Sequence, residues 1–351
     1  MAVYFRPNIN GLAGYTPGEQ PRDDGIIKLN TNENPYPPSP KVYAALRQAV
    51  GRSLRLYPEP LSDTLRMAAA GVYGVKAQNI IGGNGSDEIL TMLMRCFVGP
   101  GDLVAFPEPT YSLYETLVAI QDGIAARVDF PPDFSLPESL ARQNAKLTLL
   151  CNPNAPSGTL VSLPDIENLA RSLSGILVVD EAYVDFAASE GASALPLIRR
   201  LPNLVVLRTF SKAFSLAGMR IGMAFGPEEI ISGMMKVKDS YNVNRLSLVA
   251  ATAALQDMAW MARYAGRIQR SRNKLAAGLK RLGYFVYPSH ANFVLARKRG
   301  VNQKAVYEEL KYRKILVRYF DAPGLEDCLR ITVGAPKEIQ ALLTELAAIR
   351  A

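Results

Sequence analysis

Short apolar runs alternate along the chain with stretches of helical periodicity. Leu103-Val-Ala-Phe106, Leu147-Thr-Leu-Leu-Cys151, Ile176-Leu-Val-Val179, Leu204-Val-Val-Leu207 and Ile221-Gly-Met-Ala-Phe225 read as strands. Helical patterns lie between several of them, as from Pro164 to Leu173. Runs this short and continuously apolar predict a mostly parallel, buried sheet and hence an α/β fold. Leu246 to Leu282 is proline-free and rich in Ala, Leu and Arg, and predicts one or two helices leading out of that layer. After Gly283 the order becomes strand, strand, helix, strand, helix: Phe285-Val-Tyr287, Asn292-Phe-Val-Leu295, Gln303 to Tyr312, Leu329-Arg-Ile-Thr332, and a last helix from Lys337. The expected organisation is an N-terminal arm (1–40), a large α/β domain (41–282) and a smaller α+β domain (283–351). Asn34-Pro-Tyr-Pro-Pro-Ser-Pro40 could be a polyproline-type ligand, but an ordered arm leading into a helix from Lys41 is the expectation.

Composition narrows the class. With 351 residues and 48% hydrophobic content, the chain can bury a sizeable core. The three cysteines, Cys96, Cys151 and Cys328, are far apart and not spaced for a metal; their odd number suits a reducing cytoplasm. No signal-peptide layout opens the chain, and no apolar run is long enough to span a membrane. A single histidine, His290, argues against a histidine triad or a His-rich metal site. The net charge of +8 comes from scattered basic residues, Lys311-Tyr-Arg-Lys314 being the densest group. That pattern fits a solvated face and a pocket for anionic ligands better than a nucleic-acid surface.

The candidate chemistry centres on Thr209-Phe-Ser-Lys-Ala-Phe-Ser-Leu-Ala-Gly-Met-Arg-Ile-Gly222, which follows a predicted strand. Lys212 has apolar flanks, and a desolvated lysine is readily neutral and able to attack a carbonyl. Thr209, Ser211 and Arg220 supply donors for an anion such as phosphate. A lysine for an aldehyde beside donors for a phosphate describes a pyridoxal-phosphate (PLP) site. Asp180, in Val178-Val-Asp180-Glu-Ala-Tyr183, closes a strand at the sheet edge where ligands of such folds bind. There it could pair with a pyridine nitrogen, with Tyr183 donating to a phenolic oxygen, or it could simply cap a helix. Gly85, Ser86 and Asp87 lie in a glycine-rich turn that opens a helix and offers free N–H groups to a phosphate, or forms an ordinary capped turn. The turn lacks dinucleotide-binding spacing. Tyr111, after another strand, could stack on a flat ring. Arg330, inside an apolar strand, and Arg318, after one, need anionic partners, and a substrate carboxylate suits the first.

Together these residues resemble the fold-type I PLP enzymes of the aspartate aminotransferase superfamily, and within it the histidinol-phosphate aminotransferase family. The resemblance runs nearly end to end, through Gly14-Tyr-Thr-Pro-Gly-Glu-Gln20, Lys28-Leu-Asn-Thr-Asn-Glu-Asn-Pro35, Leu56-Tyr-Pro58, Gly85-Ser-Asp-Glu88, Asp180-Glu-Ala-Tyr183, Ser211 to Arg220 and Leu329-Arg-Ile-Thr-Val-Gly334. It implies that Lys212 bonds to the cofactor and moves the proton, that Asp180 faces the pyridine nitrogen, and that Tyr183 faces the phenolic oxygen. It further implies a phosphate held by Ser86, Asp87, Thr209, Ser211 and Arg220, a ring stacked on Tyr111, and a homodimer in which Tyr57 reaches the other subunit's phosphate. Tyr15 and Arg318 would meet the substrate's phosphate end, and Arg330 its α-carboxylate. The family's usual Asn-Pro-Asn-Asn-Pro-Thr-Gly reads Asn152-Pro-Asn-Ala-Pro-Ser-Gly158 here, with Ala155 where an asparagine normally reaches the phenolic oxygen. Whether Asn154, one residue earlier, compensates stays open. The implied activity is transamination between histidinol phosphate and 2-oxoglutarate. Alternatives are an aromatic amino acid aminotransferase, a PLP-dependent phospho-amino-acid decarboxylase, and a PLP-binding regulator without turnover.

Overall fold

The most continuously apolar segments form the middle of a seven-stranded sheet. In the computed structural model, which describes residues 4–15, 17–21, 25–187 and 191–349, Leu147–Cys151 and Leu204–Thr209 are buried along their whole length, and Ile176–Asp180 at all but its first residue. Across the sheet the order is Ile80–Gly83, Gly222–Phe225, Leu204–Thr209, Ile176–Asp180, Leu147–Cys151, Leu103–Glu108 and Ile124–Asp129. Gly222–Phe225 runs antiparallel to both its neighbours and the rest are parallel. Burial on both faces explains why these strands read as unbroken hydrophobic runs.

Two strands escaped the hydrophobic pattern. Ile124–Asp129 is an edge strand, partly exposed and broken by Ala and Arg. Ile80–Gly83 carries two glycines that resemble a turn. The helices Asp63–Tyr73, Leu113–Ile120 and Glu228–Val237 were likewise not predicted, and a short helix, Pro7–Asn10, precedes the expected first one. The expected helix from Lys41 is Pro40–Ala49, started by Ser39, whose side chain accepts from the Lys41 amide.

The stretch from 246 resolves into Arg245–Leu255 and the 24-residue Met258–Arg281. The longer helix spans about 36 Å and leads to a four-stranded antiparallel sheet ordered Arg318–Tyr319, Cys328–Thr332, Phe293–Arg297, Phe285–Val286. Arg272, buried on this helix, donates to the carbonyls of Phe186 (3.1 Å) and Ala291 (2.7 Å). In the N-terminal segment Ile27–Lys28 pairs in parallel with Ile315–Leu316 as a separate two-stranded sheet, and the Thr332 amide of the four-stranded sheet donates to the Leu29 carbonyl at 2.9 Å. Within that segment Met1–Val3, Thr16 and Arg22–Asp24 lie outside the described residues. No helix among the described residues is long and apolar enough to cross a membrane.

Candidate active site

Three adjacent parallel strands end in Cys151, Asp180 and Thr209, and a cavity of about 400 Å³ opens over those ends. This is where open α/β sheets bind ligands, because the loops diverge there. Tyr15, Ser86, Asp87, Tyr111, Asp180, Tyr183, Thr209, Ser211, Lys212, Arg220, Arg318 and Arg330 all line it. Residues from every part of the chain thus converge on one space.

At the floor, Asp180 is buried and accepts from the Tyr114 hydroxyl (3.0 Å) and the Ala182 amide (3.1 Å). Burial still pushes its carboxyl up from an ordinary 3.8 to about 6, against the pull of those two donors. Asp180 therefore does not cap a helix; it is a desolvated acid facing the cavity. Lys212 stands nearby, its amine 3.3 Å from the Thr31 carbonyl and over the Tyr183 ring. Burial first, and then the like charge of Arg330, bring its amine down from 10.5 to about 8. Burial also raises the Tyr183 hydroxyl, so it remains a protonated donor at neutral pH.

On one side the helix Ser86–Phe97 begins at the cavity. Gly85 precedes it with φ +88°, and no side chain caps it, contrary to the capped-turn alternative. Gly222 passes directly beneath: a Cβ there would come within 2.6 Å of the Ser86 nitrogen. A Cβ on Gly85 would come within 2.8 Å of the Arg220 guanidinium. Glycine at both positions lets backbone N–H groups, the Ser211 hydroxyl and Arg220 share one cradle. Arg220 also donates to Asp87 (3.0 Å), which accepts from Tyr111 as well (3.2 Å). Tyr111 in turn packs edge-on against Tyr15 and Tyr114.

On the other side Arg318 and Arg330 are directly paired across antiparallel strands. Arg330 donates to the Asn30 carbonyl at 2.8 Å, but its buried Nε has no partner among the described residues. Its charge is held down by burial and by Arg318. A buried unpaired guanidinium nitrogen is costly, and a carboxylate or phosphate entering the cavity would relieve it. Four cationic side chains and three carboxylates line the space, and one of those carboxylates, Asp180, is poorly ionised at mildly acidic pH. A PLP-like ligand fits this donor set: amine for aldehyde, buried acid for ring nitrogen, cradle for phosphate.

Three expected residues do not line the cavity: Gly85, which immediately precedes the helix that does, Asn154 and Tyr57. Asn154 is buried in its loop, accepting from the Thr110 hydroxyl (2.9 Å) and donating to the Pro109 carbonyl and the Ser157 hydroxyl. With both ends of its amide engaged, it does not replace the asparagine lost at Ala155, which itself lines the cavity. Tyr57 is 77% exposed and stacks on Tyr241 away from this chain's own cavity. Conversely, Tyr114 and Asn32 were missed. Asn32 donates to the Tyr183 hydroxyl at 3.0 Å. Tyr114 reads as one more apolar position on its helix, and Asn32 lay unassigned within the quoted Lys28–Pro35 motif.

Residues 24–346 match the family model for class I and II aminotransferases, and the chain belongs to that family. It is 45% identical over 348 residues to histidinol-phosphate aminotransferase 1 of Trichormus variabilis, covering 99% of each chain. It is 46% identical over 346 residues to the histidinol-phosphate aminotransferase of Syntrophotalea carbinolica, covering 98% of this chain and 99% of that one. The solved histidinol-phosphate aminotransferase of Sinorhizobium meliloti, in complex with pyridoxal 5'-phosphate, is 27% identical and superposes with a TM-score of 0.91 over 100% of this chain and 99% of its own. The architecture is the fold-type I arrangement expected from the sequence.

Two outcomes follow from the shifted pKa values. Only the neutral amine attacks an aldehyde, so borohydride trapping of PLP at Lys212 in ligand-free protein should rise with pH through about 8 and then level off. A rise continuing towards 10.5, the ordinary lysine value, would contradict the assigned desolvation. For Asp180 the folded protein holds the proton more tightly than the unfolded chain does. The resulting stability is present below the unfolded value and is lost as pH rises through about 6. Asp180→Asn should therefore raise the melting temperature of ligand-free protein at neutral pH, a gain of about 1–3 kcal/mol. The advantage should shrink as the pH is lowered towards 4, roughly the unfolded carboxylate's range. Equal melting curves at neutral pH would show that the buried carboxylate carries no such cost.

Proposed function

We propose that the chain is a PLP-dependent aminotransferase that converts histidinol phosphate and 2-oxoglutarate into imidazole-acetol phosphate and glutamate, reversibly, in histidine biosynthesis. The observation that carries the substrate assignment is the pair of arginines on neighbouring registered strands, both lining the cavity opposite Lys212. A carboxylate needs one such group; the phosphate dianion that histidinol phosphate carries in place of an α-carboxylate can use both.

When bound, PLP supplies an electron-accepting ring that stabilises negative charge left at a substrate Cα. The protein's residues do the rest. Asp180 would keep a proton on the ring nitrogen, and Tyr183 would donate to the phenolic oxygen. The Ser86 and Asp87 turn, Thr209, Ser211 and Arg220 would hold the cofactor phosphate, with Tyr111 beside the ring. The Lys212 Nζ, partly neutral at physiological pH, would take the proton from the substrate Cα and hold it for return. Arg330 would bind the α-carboxylate of glutamate and so fix which bond at Cα faces that amine. Tyr15 and Arg318 would join it on the phosphate of histidinol phosphate, which stands where glutamate has that carboxylate. Glutamate and histidinol phosphate use the site in turn, so the kinetics are ping-pong.

We further read the chain as a homodimer with shared sites, acting in the cytoplasm. An exposed apolar set, Leu54, Leu56, Tyr57, Leu61 and Tyr241, supports docking of a second copy. The Tyr57 carbonyl, held by Arg245 at 2.9 Å, keeps its turn ordered. Free and mostly buried cysteines suit a reducing compartment. The arm at 1–40 and the boundary at 282 divide the chain by role: the large part holds the cofactor, while the arm and the small part close on substrate.

Arg318→Ala should lower kcat/KM for histidinol phosphate by roughly 10- to 150-fold, the size of one charged hydrogen bond. The glutamate half-reaction should change much less. Unchanged turnover of histidinol phosphate by a folded variant would remove Arg318 from the site and favour an aromatic substrate. Shared sites are tested by mixing Lys212→Ala with Tyr57→Ala protein under conditions of subunit exchange. Heterodimers should regain activity from one restored site; proven exchange without recovery would place each site within one subunit.

A further inference from the structure

With Ala155 at one side of the cavity and Asn154 engaged in its loop, Tyr183 is left as the phenolic donor, and its hydroxyl has one buried protein partner. Asn32 donates to it from Nδ2 at 3.0 Å. Asn32 is itself held on every polar atom. Its amide donates to the Thr332 hydroxyl (3.0 Å), the Thr332 hydroxyl donates to its Oδ1 (3.1 Å), and its carbonyl accepts from Asn292 (2.8 Å). It is buried and sits at φ +58°. A hydroxyl has one proton; Thr332 uses its proton on Oδ1, so the Asn32 amide group that faces Tyr183 is the NH2. An NH2 can only donate. The Tyr183 oxygen therefore accepts from Asn32, and its own proton is left to point into the cavity.

We propose that Asn32 is a positioning residue that makes Tyr183 a one-way donor towards the cofactor's phenolic oxygen, taking over part of the function of the asparagine absent at Ala155. This rests on the aminotransferase reading above. Accepting a hydrogen bond from Asn32 polarises the Tyr183 hydroxyl and strengthens the bond it donates. A stronger donor stabilises the anionic phenolic oxygen and keeps the pH-dependent colour change of the bound cofactor at lower pH. The clamp also runs through Thr332, two residues from Arg330 on the same strand and therefore on the same face.

The test is a spectrophotometric pH titration of PLP-loaded protein without substrate. Asn32→Ala should move the midpoint up by roughly half to one pH unit, the size of one ordinary hydrogen bond. Asn32→Asp should move it further, because a carboxylate accepts the Tyr183 proton and turns it away from the cavity. Thr332→Val, which frees the amide to flip, should give a smaller shift in the same direction and covers the case in which the Asn32 variants fail to fold. In a Tyr183→Phe background none of these changes should shift the midpoint further, an outcome that merely loosened packing would not produce. Wild-type midpoints in all the folded variants, or shifts that persist without the Tyr183 hydroxyl, would overturn the proposal. Failure of wild-type protein to take up PLP would instead overturn the aminotransferase reading itself.

Discussion

The burial of one carboxylate organises this molecule. Asp180 ends a strand in the middle of the sheet, flanked by parallel strands on both sides, and it is almost fully buried. Ionising it there is expensive. Two donors, Tyr114 and the Ala182 amide, offset part of that cost, and burial still keeps the pKa near 6. In the proposed function a protonated ring nitrogen would offset the remainder, so the buried acid would serve binding at a cost to the stability of the ligand-free protein. Immediately beyond it Glu181 accepts from Ser193, the Ala194 amide and Arg208, and Arg208 also meets Asp185. That network fixes the strand end from the far side and holds Asp180 towards the cavity.

The lysine obeys the same physics with opposite sign. Little water and the nearby Arg330 make the charged amine costly, so Lys212 is half neutral near pH 8 while an exposed lysine would be fully charged. Acid and base are thus brought towards each other's range by burial in the wall of one cavity. That wall draws on both sheets and on the N-terminal segment.

Much of this was legible in the sequence because the pattern that shows it is local. Central strands are apolar over consecutive residues, and helices are capped and periodic within a dozen residues. The Lys212 and Asp180 segments lie just after such strands, so their place at one sheet edge followed from βα alternation alone. Edge strands such as Ile124–Asp129 did not show, because one-sided exposure removes the hydrophobic run. Asn154 was misplaced because a loop that uses both ends of its amide internally looks, in sequence, like one that offers them to a ligand. Tyr114 lies 66 residues from the carboxylate it serves, and Asn32 lies 151 residues from Tyr183. No spacing rule connects positions that far apart.

Composition, periodicity and motif determined by themselves the α/β class and the place of Lys212, Asp180 and the glycine-rich turn at one sheet edge, since each depends on residue type and near neighbours. The tertiary structure decided how strongly each group is desolvated, which arginine nitrogen is left without a partner among the described residues, and which side chain meets the Tyr183 hydroxyl. Those properties are sums over contacts from chain segments that only folding brings together, and electrostatics in a dry interior responds to all of them at once.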